Sequence, residues 1–544
     1  MSFRVIAISG PVSSGKTTLA SGLEKRFEDI AVLKTHELIR AEQPSVEFER
    51  AALQLAGATL DDKTGGEWLA QAVARTVMNL ISEPAYVIVD SCRIEGQVDG
   101  LRRLFGNSVV HVHLTASEAE LGRRYRRRQS KMRELDSYAL VRADPTEARV
   151  DDLGEMADIV VDTKRCDAED VLVRTAARLG LYGRSYSRLV DVLVGGQWGS
   201  EGKGHIASYL APEYDVLLRV GGPNAGHQVY REEGALTYHH LPSGTRENES
   251  AKVVIGPGAV IRVPDLLSEI ADSGRTSSTL HIDPNAMVIE DADVKREKLG
   301  SADGKGMSAI GSTKRGVGEA TSRKVLRPRA EPKVRLAGCV PELQEYRRRT
   351  VEILDDAFRA GQRVFLEGTQ GTGLSLHHGS YPHVTSRDTT VSGCLAEAGI
   401  APGRVRRVIM VVRSYPIRVK GPSGPMGREI NWTEVARRSG QDARQLRKQE
   451  HSSTSNKLRR VAEFNWTLLR NSASLNGPTD IALSFADYIQ KKNEDARRFE
   501  QLDETTIQFI EEIERVASAP VSLVVTRFRH PERSIIDRRK WGGR

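Results

Sequence analysis

The 544-residue chain carries 80 Lys and Arg against 72 Asp and Glu, a formal net charge of +8, and is 39% hydrophobic and 28% charged. That length exceeds what one hydrophobic core usually serves and predicts two or three domains. Its apolar runs, such as Tyr86 to Val89 and Val408 to Val412, are strand-length and fall far short of the roughly 20 residues of a bilayer span, so no membrane association is expected. The segment from Phe3 to Ile8 is apolar and β-branched and lacks a signal-peptide pattern. Cys92, Cys166, Cys339 and Cys394 lie far apart, as reduced, individually buried thiols do in a cytoplasmic protein, and not as a disulfide framework or zinc site does. Basic clusters such as Arg123, Arg124, Arg126, Arg127 and Arg128 have no interleaved aromatics. They point to phosphate-bearing small molecules and not to nucleic acid.

In chain order, the first motif is Gly10-Pro-Val-Ser-Ser-Gly15-Lys16-Thr17, between an expected strand (Val5 to Ser9) and an expected helix (Leu19 to Phe27). This is a P-loop in its proper setting. Backbone N–H groups from Gly10 through Gly15 to Thr18 cradle phosphates, Lys16 reaches the outer ones, and the Thr17 hydroxyl is placed for Mg²⁺. Thr35-His-Glu-Leu-Ile-Arg40 and Val87-Ile-Val-Asp90-Ser-Cys-Arg93 resemble segments of adenylate-kinase-like enzymes. The resemblance implies that Arg40 and Arg93 grip a monophosphate acceptor. After a third strand (Val109 to Leu114), Arg123 and Arg127 stand where such kinases keep lid arginines, and Arg142 and Arg149 resemble the arginine pair of cytidylate kinases. A strand from Ala157 to Asp162 and a helix from Ala168 to Leu179 complete a P-loop nucleoside monophosphate kinase-like domain over 1–182, whose acceptor base is not readable.

A connector from Leu181 to Arg188 leads to a second domain, 188–544. Strand Val190 to Val194 enters Gly195-Gly-Gln197-Trp198-Gly199-Ser200-Glu201-Gly202-Lys203-Gly204, followed by a helix from Ile206 to Leu210. By chemistry alone this is a second phosphate loop with a carboxylate and a lysine beside it. Alternation of β-rich and helical stretches in both domains predicts an α/β protein: a P-loop kinase-type parallel sheet with helices on both faces, then a larger α/β domain. Thr245 to Ser250 and Gly440 to Asn456 read as surface loops that order on substrate binding.

The second loop resembles the Gln-Trp-Gly-Asp-Glu-Gly-Lys-Gly signature of the adenylosuccinate synthetase family, and more motifs follow in that family's order. These are Gly221-Gly-Pro-Asn224-Ala-Gly226-His227, His240-Leu-Pro-Ser-Gly244, Glu367-Gly-Thr-Gln370-Gly-Thr-Gly-Leu374, and His378 to Ser386 with Thr385. The resemblance runs from about Asp191 to Asp537, and the wording of Tyr415 to Val419 and Arg459 to Phe464 is closest to the compact archaeal-type branch. It implies a larger domain of that family's α/β type and a C–N ligase. A nucleoside triphosphate, ATP or GTP, phosphorylates O6 of a purine nucleotide monophosphate, and L-aspartate then displaces that phosphate at C6. His227 is implied as the acid at O6, with a near-neutral pKa; Lys203 and the amides of Gly202 and Gly204 hold the phosphoryl group; and the Gly226 carbonyl and position 200 help ligate Mg²⁺. Asn224, Ser312, Thr313, Gln370, Leu374, Thr385 and Arg459 fall at nucleotide-binding positions, and Thr454, Ser455 and Lys457 at the aspartate positions. Lys457 replaces an arginine there and cannot grip a carboxylate bidentately. Arg327 matches an arginine that reaches into a partner subunit's site, which implies a homodimer.

Two departures bear on substrate. Ser200 stands where the family has the aspartate that removes the N1 proton and ligates Mg²⁺, and serine cannot take a proton at neutral pH. The enzyme is then inactive, or an adenylosuccinate synthetase on IMP that tolerates the loss, or it uses a purine that differs beside N1. Guanine differs there: its 2-amino group would crowd a longer carboxylate but can donate to a serine hydroxyl. Phage 2-aminoadenylosuccinate synthetases, which resemble the same branch and act on dGMP, also carry serine at this position. At the donor site, Asp487 matches a guanine reader, but Phe485 replaces a lysine, and Thr526-Arg-Phe-Arg529 replaces the Ser-Thr-Gly-Pro loop, so ATP or dATP is as compatible as GTP.

Overall fold

The computed structural model describes residues 3–80, 84–127, 135–164, 166–182, 187–231, 234–299, 310–451, 458–527 and 535–540. The chain divides into two compact units, Met1–Tyr182 and Gly183–Arg544.

In the first unit the chain runs β1 (Arg4–Ser9), α1 (Lys16–Arg26), β2 (Ile30–Lys34), α2 (Thr35–Glu42), α3 (Arg50–Thr64), α4 (Glu67–Met78), β3 (Tyr86–Cys92), α5 (Glu95–Phe105), β4 (Val109–Thr115), α6 (Glu118–Arg126), α7 (Tyr138–Arg142), α8 (Pro145–Arg149), β5 (Ile159–Asp162) and α9 (Ala168–Leu179). The strands pair in parallel in the order β2-β3-β1-β4-β5. Alternate residues face opposite sides of the sheet. Val5, Ala7, Val87 and Val89 pack with Leu53, Leu69 and Leu101 of α3 to α5, whereas Ile6, Ile8, Ile88 and Val112 pack with Leu19, Leu23 and Ala176 of α1 and α9. Both faces are covered, so the central strands are apolar on both sides, as a parallel sheet requires. Gly10 leaves β1 at φ +135, and a Cβ there would lie 2.2 Å from the Leu114 carbonyl oxygen; only glycine lets the loop turn so close to the next strand. The helix after the loop begins at Lys16, earlier than its apolar pattern indicates, because the left-handed Gly15 (φ 101) is its N-cap.

Among the described residues of the second unit, nine strands form one sheet. Its order is Leu280–Ile282, Lys252–Ile255, Val216–Arg219, Val364–Glu367, Val190–Gly195, Val405–Arg413, Asp480–Ser484, Val521–Val525 and Ile535–Asp537, of which only the last pairs antiparallel. Val190, Val192 and Val194 pack on one face against the helices Thr350–Arg359 and Val391–Ala398, and Leu193 on the other against Lys203–Leu210. That last helix also starts earlier than expected, at Lys203, capped by left-handed Gly202 (φ 90).

Three loop and surface expectations need correction. Thr245 to Ser250 is not a free loop: Thr245 is buried, and the carbonyls of Thr245, Asn248 and Glu249 accept the Arg275 guanidinium. Within Gly440 to Asn456 the chain forms a helix, Ala443–Gln449, because Asp442 caps it by accepting the Gln445 N–H (2.7 Å); residues 452–456 lie outside the described set. Of the four cysteines, all free, Cys92 and Cys394 are buried, but Cys166 is half-buried and Cys339 is exposed at the end of a surface turn.

A charge pair locks the helix Val317–Leu326 beside the second unit's cavity. Arg323 donates to both oxygens of Asp293 (2.7 and 2.6 Å) and to the carbonyls of Val288 and Lys333 (3.1 and 3.0 Å), and Asp293 is fully buried. Removing the guanidinium leaves an uncompensated buried carboxylate. Arg323→Ala is therefore expected to cost about 3–5 kcal/mol in urea unfolding, most of it recovered when Asp293→Leu is added.

Candidate functional site

At the C-terminal ends of the strands Val190–Gly195 and Val364–Glu367, the second unit opens into a cavity of about 550 Å³. Crevices at strand C-termini are where α/β sheets hold ligands. The loop after the first strand closes around a carboxylate. Glu201 Oε1 accepts the N–H groups of Gln197 (3.0 Å) and Gly199 (2.8 Å), and Oε2 accepts from the buried Lys203 Nζ (2.6 Å). Gly202, Lys203 and Gly204 line the cavity together with Ser200, Asn224, Gly226, His227, Ser312, Thr313, Gln370, Leu374, Thr385 and Arg459.

His227 begins the hairpin strand His227–Arg231. Its Nδ1 donates to Glu367 Oε1 at 2.5 Å, and Glu367 also accepts Ser243 Oγ–H (2.5 Å) and Ser243 N–H (2.7 Å). Burial alone would raise the Glu367 pKa, but the bonds from His227 and Ser243 and the Arg219 charge, 3.7 Å away, hold it below the ordinary carboxylate value. Burial, then Arg219, lowers His227 to about 4 against the opposing pull of Glu367. Desolvation thus outweighs the carboxylate partner and favours the neutral imidazole, below the near-neutral value that the resemblance implies. Among the described residues, five buried polar atoms of cavity-lining side chains have no hydrogen-bond partner: His227 Nε2, Asn224 Oδ1, Gln370 Oε1, His383 Nδ1 and Arg413 Nε. Gln370 adopts a left-handed φ of 67, and its amide donates to Thr385 Oγ1 at 2.7 Å. Buried groups without partners and a strained backbone are features that collect at binding sites.

Arg413 is a wall residue that the sequence did not mark. Buried, it donates to Glu450 Oε1 (3.1 Å) and to the Ser200 carbonyl (3.3 Å), and its guanidinium lies 3.9 Å from the centre of the Phe485 ring. Arg459 pairs with the other Glu450 oxygen at 3.3 Å, and although burial opposes it, these two arginines bring the Glu450 pKa down to about 2. Asp487, expected at the donor base, does not line the cavity, whereas Phe485 does. Asp487 is buried with one oxygen unpartnered, and burial and then Glu494 push its pKa up to about 7. Arg327 is exposed, at φ 57, off the cavity of its own chain. Thr454, Ser455 and Lys457 lie outside the described residues.

A second cavity, about 610 Å³, occupies the first unit and is lined by the P-loop residues Gly15, Lys16, Thr17 and Thr18. Lys16 Nζ rests on the carbonyls of Gly10 (2.7 Å) and Pro11 (2.8 Å). Arg93 lines this cavity and pairs with the buried Glu147. The other arginines are corrected. Arg40 is exposed, over the Phe48 ring, and outside the cavity. Arg123 and Arg127 face solvent, Arg123 paired with Glu120. Arg124 takes the cavity position, with its guanidinium on Thr163 Oγ1 and O (both 2.9 Å). Residues four apart share a helix face, and the intervening one is turned away by about 100°. Arg142, held by Asp151 at 2.9 Å, and the exposed Arg149 are not on the wall either. Arg50, Gln54 and Asp61 of α3, with Trp68 and Gln97, line the cavity without having been singled out.

Two measurements follow. Glu367→Gln should lower turnover at this site by roughly 10²–10⁴-fold at unchanged fold, since the amide no longer orients and polarises the imidazole. His227 has its folded-state pKa below the 6.5 of a free imidazole, so its contribution to stability is intact above pH 6.5 and is lost as the pH falls toward 4. Compared with His227→Gln, the intact protein should lose about 3 kcal/mol more unfolding free energy between pH 7.5 and 4.

Comparison with known proteins agrees with this site. The family model for adenylosuccinate synthetase matches residues 192–337 and 330–494, and a model described as an AAA domain matches residues 6–143. The adenylosuccinate synthetase of Pyrococcus horikoshii is 35% identical over 354 residues, 64% of this chain and 98% of the relative. That of Methanocaldococcus jannaschii is 35% identical over 340 residues, 62% and 93% respectively. A fully ligated adenylosuccinate synthetase from Plasmodium falciparum shares the fold, with 22% identity and a TM-score of 0.57 over 64% of this chain and all of that one. The cyanophage S-2L succinoaminodeoxyadenylate synthetase (PurZ), solved with dGMP and dATP as an energy donor, is 27% identical with a TM-score of 0.52, over 64% and 95%. A P-loop unit thus precedes a unit with the sheet, phosphate loop and His227–Glu367 pair described above, and the chain belongs to the adenylosuccinate synthetase family of purine-biosynthetic C–N ligases.

Proposed function

We propose that this protein joins L-aspartate to C6 of a guanine nucleotide, dGMP or GMP, giving a 2-amino analogue of adenylosuccinate, and that its first unit is a nucleoside monophosphate kinase. The observation that carries the substrate reading is Ser200 on the cavity wall. Among the described residues, the carboxylates lining that cavity are Glu297 and Glu450, and both are committed. Glu297 accepts the N–H groups of Gly316 (2.8 Å) and Gly318 (2.9 Å), and Glu450 binds Arg413, Arg459 and the Tyr488 hydroxyl. Among the described residues of this wall no free carboxylate is left to meet purine N1, and a serine leaves room for a 2-amino group and accepts its hydrogen bond. The likeness to a synthetase solved with dGMP and dATP favours the same substrate and ATP or dATP as donor. Phe485 on the wall, with Asp487 behind it, fits a donor base other than guanine, while GTP remains the family's donor.

In this reading O6 attacks the γ-phosphorus of the triphosphate, the diphosphate leaves, and the N1 proton passes to water or to a phosphate oxygen. The aspartate amine then adds at C6, and inorganic phosphate departs. Lys203 and the amides around it hold the transferring group. His227, fixed through Nδ1 by Glu367, takes a proton at Nε2 as negative charge enters the cavity and gives it to the departing oxygen. The unpartnered Asn224 Oδ1, the Gly226 carbonyl and the Ser200 hydroxyl belong to residues of this cavity wall and are the oxygen donors that would hold Mg²⁺, which would neutralise phosphate charge. In the first unit the Thr17 hydroxyl and the unpartnered Asp90 Oδ1 suit a second one. Arg327, exposed and off its own cavity, serves the partner subunit of a homodimer.

The test offers IMP, GMP and dGMP in parallel, with aspartate, Mg²⁺ and ATP, dATP or GTP, and identifies the adduct by mass. A succinyl adduct of dGMP or GMP is expected; product from IMP alone overturns the guanine reading. Ser200→Asp should lower guanine-nucleotide turnover by tenfold or more, and an unchanged rate counts against the steric argument. Lys16→Ala should abolish phosphoryl transfer to monophosphates while leaving adduct formation intact.

A further inference from the structure

The first unit's cavity has two ends about the P-loop. Toward β4 and β5 it is walled by Arg124, Thr163, Cys166, Asp167, Ala168 and Val171. Toward β2 and β3 it is walled by one face of α3, whose residues Arg50, Gln54, Gly57, Ala58 and Asp61 all line it. Arg50, Gln54 and Asp61, with Gly57 and Ala58 side by side between the last two, recur every three or four residues and share one helix face. The middle of the stripe is small: Gly57 and Ala58 form a flat floor, where a Cβ on Gly57 would touch the Ile39 side chain at 3.4 Å. The ends of this floor are polar and of opposite hydrogen-bonding character. At one, Gln54 Nε2 is a buried donor with no partner. At the other, Asp61 Oδ1 accepts the Trp68 indole N–H (2.6 Å) and the Gln97 amide (2.9 Å), and Oδ2 lies 3.1 Å from that same amide. A carboxylate has about four acceptor sites, so Asp61 is fixed in place with capacity to spare.

Resting on the kinase reading of this unit, we infer that the α3 face is the acceptor-base site and that it selects purine monophosphates carrying an exocyclic amino group. Seven residues along a helix span about 10.5 Å, so Gln54 and Asp61 bracket a bicyclic base lying over Gly57 and Ala58, while a pyrimidine is too short to meet both. Asp61 takes the amino N–H, and Gln54 donates to a ring nitrogen or carbonyl at the opposite edge. Hypoxanthine and thymine lack the amino group and offer the carboxylate at most a single ring N–H beside carbonyl oxygens that repel it, a poorer match. Burial raises the Asp61 pKa while its two donors hold it down, consistent with a carboxylate kept for a further donor.

The experiment uses the full chain without aspartate, ATP as donor, and dAMP, dGMP, dIMP and dTMP as acceptors, with diphosphate formation followed by chromatography and binding by calorimetry. An aminopurine, dAMP or dGMP, should exceed dIMP and dTMP by at least tenfold in kcat/KM. Asp61→Asn should erase most of that ratio while leaving the KM for ATP unchanged, which a merely structural role of Asp61 would not do. Equal use of dIMP or dTMP, or an Asp61→Asn loss common to all four, overturns the inference. Should no monophosphate be phosphorylated, the kinase reading falls; tenfold tighter binding of an aminopurine, lost in Asp61→Asn, still supports the base site, and equal or absent binding overturns it.

Discussion

The buried carboxylate of Glu367 organises the ligase cavity. It ends a central strand of the sheet, fully desolvated, and tolerates that position only because His227, both donors of Ser243 and the nearby Arg219 surround it. Each of those partners comes from a separate segment, so one charge draws the hairpin, the segment after it and the neighbouring strand Val216–Arg219 to a common point. The geometry of His227 follows from this, since its ring can turn only by breaking a charge-assisted bond.

The two phosphate loops solve the same electrostatic problem differently. In the first unit Lys16 is parked on two neutral carbonyls; in the second Lys203 is parked on Glu201, which also closes its own loop through two backbone N–H groups. An incoming phosphate must share Lys203 with the Glu201 carboxylate. The Glu201 contact sets the position of Lys203 before any ligand arrives.

Much of this was legible in the sequence where function is written in contiguous residues. The P-loop, the Gln197 to Gly204 loop and the segment from Glu367 to Leu374 each place several groups through one backbone path, so reading the string reads the geometry. What depends on helix rotation or distant pairing was not legible. The run from Arg123 to Arg127 holds one cavity residue, Arg124, and a string of arginines does not say which face the helix turns inward. Arg413 and Glu450 are 37 residues apart and meet only in the fold. Glu367 stood inside a recognised motif without a role, although its place at a strand's C-terminal end was the available signal. On α3 the signal was present as a stripe of small residues between two polar ones, and it becomes informative only when the facing wall is known.

Ser200 sits on a backbone fixed from three sides: its carbonyl by Arg413, the preceding N–H by Glu201, and the preceding carbonyl by Lys203. None of these contacts involves the serine side chain. Position 200 is therefore mechanically uncoupled from the frame that carries it, and a change of residue there alters what the cavity accepts without asking the loop to refold. If Ser200 reads the purine's 2-position as proposed, selectivity there can change through a single codon while the backbone contacts of the phosphate loop stay in place.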